Sequence, residues 1–297
     1  MATMLLVLCS TSGVHAQAGA VAGSFIVFPA GWNLISFGSS TFTLRESLLQ
    51  NSLLYTFQAN DSAYEAADPQ HLTPGEGYWV YLAAQHGVTL PASGRFSTST
   101  IIPGGQCVMV GNPSTAASAR VSGATRVYVF STLLNMYIEE PLVGIGRGAW
   151  ACNDNATSTM VMVTDEGDVL TADFPACCTP RPFAGAGRAL LAFRNDSPYP
   201  LLAGLRQVDA VGQFMAVSTM ACSACPEYTP AEHDARGCSR YAVAGDSVAL
   251  PPGQYLLHMQ SDGPNVPDLQ GVITLDANTS YQWCYYVSST RPQKTLP

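Results

Sequence analysis

The residues best suited to chemistry are cysteines, and several of them lie close together late in the chain. The segment 222–238 reads CSACPEYTPAEHDARGC, which combines a Cys-x-x-Cys pair with a histidine and a further cysteine. Thiolate and imidazole ligands at such spacing can bind Zn²⁺ in a tetrahedral site. That site would use Cys222, Cys225, His233 and Cys238. A Cys-x-x-Cys pair can also serve as a redox couple, or these cysteines can form structural disulfides.

Structural disulfides are the interpretation that the surrounding sequence favours. Zinc sites of this kind usually contain a second paired knuckle, which this sequence lacks, and redox pairs usually lie in βαβ units. We therefore predict no metal and no cofactor, and disulfides that involve Cys222, Cys225, Cys238 and Cys284. A bond to Cys284, in the last predicted strand, would hold the 222–238 loop against its domain.

Motifs for nucleophilic, metal-dependent or phosphate chemistry are missing from the sequence. It contains no G-x-S-x-G, no H-E-x-x-H and no G-x-x-x-x-G-K-[ST], and its single lysine is Lys294. This favours a protein without catalytic activity. Paired carboxylates leave no mark in a sequence, so a glycan-active hydrolase or a carbohydrate-binding accessory protein is the alternative.

Two successive segments carry aromatic residues at matching positions, which predicts an internal duplication of residues 24–95 and 98–165. The matched residues are Tyr55, Phe57, Tyr64 and Trp79 in the first segment and Tyr128, Phe130, Tyr137 and Trp150 in the second. Each segment reads as about four strands, with one short helix predicted over 43–50 in the first. Such a unit leaves an apolar face bare, so we expect the two units to cover each other.

The tryptophans have two interpretations. Core packing is the one we favour, because each copy would cover half of a shared core. The alternative is a platform that stacks on a sugar or a peptide, formed by Trp32, Trp79, Trp150 and Tyr78.

The motifs GWNLIS, YxF…Y and PGEGYW together resemble a repeat of secreted bacterial proteins, over residues 24–165. The resemblance implies no catalytic residue, since that family has no well-defined activity. The second segment departs from the pattern at two cysteines. Cys107 stands in the place of Asn33 and Cys152 in the place of Tyr81, so we predict a Cys107–Cys152 disulfide.

A Pro/Cys-rich linker over 166–186 precedes a second pattern of short strands over 187–290. The element LPPGQY followed by TLDANTSYQW resembles extracellular prealbumin-like modules. We predict an all-β protein in which a duplicated sandwich or barrel-like domain is followed by an immunoglobulin- or prealbumin-like β-sandwich.

Composition and the N-terminus indicate an exported protein. Residues 1–18 read as a signal peptide, and charged residues make up only 11% of the 297, with a net charge of −8. An acidic chain without a basic face is not expected to bind nucleic acid, and no apolar run is long enough to insert in a membrane. We therefore expect an extracellular or cell-surface protein of the adhesion or matrix type. Its partner would be a surface glycan, another protein or a second copy of itself.

Overall fold

The computed structural model describes residues 23–37, 52–69, 71–91, 97–115, 117–165, 180–208, 214–228, 238–263, 266 and 268–287. Every regular element among these residues is a β-strand, so the predicted all-β class is confirmed. The chain divides into two compact units, with the boundary between Leu170 and Thr171. The predicted signal peptide, the predicted helix over 43–50 and most of the predicted linker lie outside the described residues.

The first half of the N-terminal unit contains six described strands. They are β1 Gly23–Phe28, β2 Gly31–Ile35, β3 Leu54–Thr56, β4 Glu65–Ala67, β5 Tyr78–Leu82 and β6 His86–Pro91. β1 pairs with β6, and the other four form a sheet in the order β2-β5-β3-β4. All of these pairs are antiparallel.

The second half contains eight strands, and six of them repeat the pairing of the first half. The eight are β7 Ser97–Ile102, β8 Gln106–Gly111, β9 Ala119–Ser122, β10 Arg126–Ser131, β11 Met136–Glu139, β12 Leu142–Val143, β13 Gly148–Asn153 and β14 Thr159–Asp165. β7 pairs with β14, and a sheet forms in the order β8-β13-β10-β11, while β9 and β12 extend the β7–β14 pair. The strand order is thus the same in both halves. That this order arose by duplication stays a prediction.

Two matched bridges join the halves through their main chains. Ile35, at the end of β2, forms an antiparallel bridge with Arg147, just before β13. Val110, near the end of β8, forms the corresponding bridge with Glu76, just before β5. In both halves, therefore, the end of β2 or β8 pairs with the turn that precedes the tryptophan-bearing strand of the other half, which is β13 or β5.

Main-chain hydrogen bonds next to these bridges also join the two halves, in the same matched way. The Ser36 N–H donates to the Gly146 carbonyl at 2.9 Å, and the Gly111 N–H donates to the Gly75 carbonyl at 2.7 Å. A side chain at Gly111 would collide with the Ser36 hydroxyl and with the Glu76 carbonyl. Glycine is required there because the two main chains approach so closely.

Each half has its own apolar core, built by the alternation of side chains along its strands. The first core includes Ile26, Phe28, Tyr78, Val80 and Leu82, and the second includes Ile102, Val108, Val129, Ala149 and Val161. The residues that alternate with these on the sheet strands point to the opposite face, where the two halves meet.

The C-terminal unit is a β-sandwich of two four-stranded sheets. Its strands are β15 Arg181–Pro182, β16 Ala189–Asn195, β17 Leu201–Gln207, β18 Phe214–Thr219, β19 Val243–Leu250, β20 Gly253–Ser261, β21 Leu269–Leu275 and β22 Thr279–Tyr285. One sheet has the order β15-β22-β16-β19 and the other the order β18-β17-β20-β21. β15 lies in the segment that we predicted as linker, yet it pairs with β22.

Alternating apolar residues of both sheets fill the core of this sandwich. Phe193 of β16 and Trp283 of β22 lie on adjacent parallel strands, and their rings meet edge to face at 5.8 Å between centroids. Leu205, Leu257 and Ile273 come from the opposite sheet and are 1–2% exposed. A single shared core of this kind holds two sheets face to face.

Three buried tyrosines each close the turn that precedes their own strand. Tyr78 accepts from the Thr73 N–H at 2.8 Å, Tyr281 accepts from the Asp276 N–H at 2.9 Å, and Tyr255 donates to the Pro251 carbonyl at 2.8 Å. Tyr255 is the tyrosine of LPPGQY, so the structure gives that element a physical role. Burial is the main cause that raises the pKa of all three hydroxyls, which therefore stay protonated.

We predict that replacing these tyrosines with phenylalanine destabilises the protein without changing its fold. Tyr78→Phe and Tyr281→Phe leave a turn N–H without its partner, and each should lower the free energy of unfolding by about 1–3 kcal/mol. Urea denaturation measures the change. The matched control is Tyr81→Phe, since Tyr81 is 56% exposed and the change there should stay within about 0.5 kcal/mol. Equal losses at all three positions would contradict the turn-closing role.

Candidate functional site

The tryptophan of each half packs against aromatic residues in or beside a hairpin of the other half. These hairpins are β3–β4 in the first half and β10–β11 in the second. Trp79 lies 5.0 Å from Phe130 and 6.3 Å from Tyr137, measured between ring centroids. Trp150 lies 5.5 Å from Phe57 and 6.2 Å from Tyr64. The contacts are edge to face or tilted, as the charge distribution of aromatic rings favours.

Ring contacts form two groups, five rings around Trp79 and three around Trp150. The hydrogen bond from the Trp150 indole N–H to the Tyr137 hydroxyl joins the two groups, and we call the eight rings together the aromatic patch. It consists of Trp32, Phe57, Tyr64, Trp79, Tyr81, Phe130, Tyr137 and Trp150. Its outer members are open to solvent: Trp32 is 46% exposed, Tyr64 52%, Tyr81 56% and Tyr137 44%. Trp79 lies beneath them at 9%. The centre of the patch is therefore buried, and its rim is exposed to solvent.

The four predicted binding residues occupy four different positions relative to this patch. Trp32 lies on its rim, Trp150 is half-buried within it, and Trp79 forms its floor. Tyr78 is a correction. It is 2% exposed and points into the core of the first half, because it alternates with Trp79 along β5 and so faces the other side of the sheet.

The rim tyrosines Tyr64, Tyr81 and Tyr137 were not predicted as binding residues. The alternation in YWVYL places Tyr81 on the same face as Trp79, which was a usable signal. The Tyr137 hydroxyl accepts from the Trp150 indole N–H at 3.2 Å. Burial is the main cause that raises the pKa of Tyr137, so this hydroxyl stays a neutral donor and acceptor.

A disulfide takes the place of one aromatic pair in the second half. Cys107 and Cys152 are bonded and directly opposite each other on β8 and β13, with 4.0 Å between their Cα atoms. In the first half, Trp32 and Tyr81 face each other at the same point of β2 and β5. Cys107 thus corresponds to Trp32 and not to Asn33, which corrects the predicted register by one residue while keeping the predicted bond.

Charged side chains lie beside the disulfide end of the patch. Arg126, which is opposite Cys152 across β10 and β13, forms an ion pair with Asp154 at 2.5 Å. Hydrogen bonds from Arg126 and Thr125 lower the pKa of the Asp154 carboxyl. The two ends of the patch therefore differ: one carries Trp32 and Tyr81, and the other a disulfide with a solvated ion pair.

The four described cysteines of the C-terminal unit form two separate disulfides. Cys222 is bonded to Cys225, and Cys238 is bonded to Cys284 of β22, which holds the loop to the sandwich as predicted. Cys238 does not join Cys222 and Cys225 as a metal ligand, because its sulfur is bonded to Cys284. His233, the remaining residue of the zinc alternative, lies outside the described residues.

Asp196 is the residue of this region that sequence reasoning missed. It is fully buried and follows β16 directly. Its carboxylate accepts from the Ser239 N–H at 2.8 Å, from the Ser239 hydroxyl at 2.5 Å and from the Tyr228 hydroxyl at 3.1 Å. Within the part of the chain that the structure describes, Asp196, Cys222 and Cys225 form the one group of three metal-ligating side chains, with ligand atoms within 4.8 Å of one another.

No known protein family, curated protein or solved structure matches the chain. The two resemblances drawn from the sequence therefore stay predictions. None of the described residues belongs to a helix long and apolar enough to cross a membrane.

We predict that the Cys107–Cys152 bond contributes about 2–4 kcal/mol to stability, because it closes a loop with a sequence separation of 45 residues. The variant Cys107→Ala/Cys152→Ala should lose that amount in denaturant unfolding without reductant. Each single alanine variant serves as the control and should lose nearly as much, since either one breaks the bond. Additive losses from the two single variants would contradict a bond between them.

Proposed function

We propose that the protein is a non-catalytic binding protein of the extracellular or cell-surface type, whose contact surface is the aromatic patch. The observation that carries the proposal is the exposure of Trp32, Tyr64, Tyr81 and Tyr137 at the rim of the aromatic patch. Soluble proteins seldom leave contiguous apolar surface open unless it serves binding. The floor of buried rings holds the rim in place, which lowers the entropy cost of binding.

The size of the patch indicates the size of the ligand. An aromatic side chain offers roughly 150–250 Å² of surface, so four rings about half exposed present roughly 300–500 Å². A stable protein–protein interface needs about 800 Å² from each partner. The patch therefore fits a smaller ligand better than a protein partner.

An oligosaccharide is the ligand class that best fits the chemistry of the rim. The apolar face of a sugar ring can cover an indole or phenol ring, while its hydroxyls form hydrogen bonds with neighbouring polar groups. Tyr81 packs edge to face against Trp32 and Tyr137 against Trp79, so each of these tryptophans has a phenol ring beside it. The charged groups described above, Arg126 and Asp154, lie at the opposite, disulfide end. We propose a surface glycan, bound mainly at the Trp32–Tyr81 end.

An exported setting is supported by the three disulfides. Such bonds persist in oxidising compartments and are rare in the cytosol. The predicted signal peptide leads to the same proposal of an extracellular or cell-surface protein.

We predict that Trp32→Ala and Tyr81→Ala each weaken glycan binding at least tenfold, which is about 1.4 kcal/mol. The probes are a printed panel of neutral and acidic oligosaccharides, followed by calorimetry with the tightest one. Tyr241→Ala is the matched control, because Tyr241 is 49% exposed but belongs to the C-terminal unit. Binding that survives both patch variants, or no binding to any member of the panel, would contradict the proposal.

Turnover is tested in the same samples. Release of new reducing ends from the bound oligosaccharide, abolished by changing one carboxylate to its amide, would replace the binding proposal with a hydrolase. Association of the protein with itself that is lost in Trp32→Ala would identify a second copy, and not a glycan, as the partner.

A further inference from the structure

Both sulfurs of the Cys222–Cys225 pair lie against oxygen acceptors. The Cys225 sulfur is 3.0 Å from Oδ1 of Asp196, and the Cys222 sulfur is 3.2 Å from the carbonyl oxygen of Tyr241. A thiol can donate its hydrogen to such an oxygen, whereas a disulfide sulfur has no hydrogen to donate. The surroundings of this pair are therefore arranged for two thiols.

The contact with Asp196 matters most, because that carboxylate is fully buried. Hydrogen bonds to a buried charged group contribute more than those between neutral groups, and losing one is correspondingly costly. Reduction of the disulfide gives Asp196 a further donor, and oxidation removes it. This difference shifts the equilibrium of the pair toward the dithiol.

The disulfide itself constrains the chain very little. Cys222 and Cys225 are three residues apart, whereas the other two bonds span 45 and 46 residues. Because the stabilisation by a disulfide grows with the loop it closes, folding protects the two long-range bonds from reduction more than the short one.

Hydrogen bonds also anchor the turn that carries this pair. The Cys222 N–H donates to the Ser197 carbonyl at 2.9 Å, and the Tyr228 N–H donates to the Val287 carbonyl at 2.9 Å. Ser239 holds Asp196 from the other side. None of these bonds depends on the oxidation state of the cysteines.

We propose that Cys222–Cys225 is a redox-sensitive pair that exchanges with dithiol reductants while the C-terminal unit stays folded, and that Asp196 stabilises its reduced form. One dithiol supplies two electrons and two protons. Both cysteines are buried, so the turn has to open locally before the thiolate of the reductant can attack one sulfur. The mixed disulfide then resolves to the cyclic disulfide of the reductant, and two cysteine thiols result. Asp196 then accepts a hydrogen bond from Cys225, and the Tyr241 carbonyl accepts one from Cys222. Cys107–Cys152 and Cys238–Cys284 stay oxidised as structural bonds.

The test equilibrates the full chain at neutral pH with mixtures of reduced and oxidised dithiothreitol. Thiols are trapped by acid and alkylation, and peptide mapping gives the reduced fraction of each pair. We expect Cys222–Cys225 to be reduced first, with an equilibrium constant at least tenfold more favourable to the dithiol than that of either other bond. Tenfold corresponds to about 30 mV for this two-electron couple. Simultaneous reduction of all three bonds, or reduction of this pair last, would overturn the proposal.

Asp196→Asn tests the role of the carboxylate. Asparagine replaces one carboxylate oxygen with an NH2 donor and leaves the thiol at most a neutral amide oxygen, a weaker acceptor than a carboxylate, so this variant should shift Cys222–Cys225 toward the disulfide by about tenfold and leave Cys107–Cys152 unchanged. Ser239→Ala is the matched control, because it removes a donor to Asp196 but keeps the acceptor, and it should not shift the pair toward the disulfide. If Asp196→Asn does not fold, the order of reduction in the wild-type chain decides. Uptake of one equivalent of Zn²⁺ by the reduced protein, with loss of reoxidation, would identify a metal site and overturn the proposal.

Discussion

The exchange of aromatic contacts between the two halves of the N-terminal unit is the interaction on which its structure depends. Neither four-stranded sheet can bury both of its faces alone, and each tryptophan finds its aromatic partners on the other half. The main-chain bridges are formed by Ile35 and Val110. Each of these residues directly follows the residue that lies opposite the tryptophan of its own half. Ring packing and main-chain pairing therefore specify the same arrangement, which leaves the two halves a single way to fit together.

The same arrangement explains why the unit has a chemically distinct end. Where the halves match, Trp79 and Trp150 pack against rings of the other half, while Tyr64 and Tyr137 are exposed in both halves. Where they differ, at Trp32 and Tyr81 against Cys107 and Cys152, one end keeps exposed rings and the other closes with a covalent bond. At this pair of facing positions, a disulfide stabilises the second half and two exposed rings form a surface on the first half. The proposed glycan site follows from this difference.

Much of this arrangement could be predicted from the sequence, because alternation and aromatic spacing are local signals. The spacing of Tyr128, Phe130 and Tyr137 matched the second segment to the first, and the pairing of Cys107 with Cys152 followed from that alignment. The register error at Cys107 arose because aligned letters do not show which residues face each other across a sheet. A one-residue shift moves a side chain to the other face. Exposure was harder still, since whether Tyr78 or Tyr81 reaches solvent depends on which face the other half covers.

Asp196 illustrates what local patterns cannot reveal. Its donors, Tyr228 and Ser239, lie 32 and 43 positions away in sequence. Only the folded sandwich brings them to one carboxylate, and a buried carboxylate has to collect donors because water no longer solvates it. Hydrogen bonds therefore anchor the turn around Cys222 and Cys225 in addition to the short disulfide between them. The three described disulfides thus differ in what they constrain: two join residues 45 and 46 positions apart, whereas the pair that we propose as redox-sensitive lies within a turn that hydrogen bonds also hold.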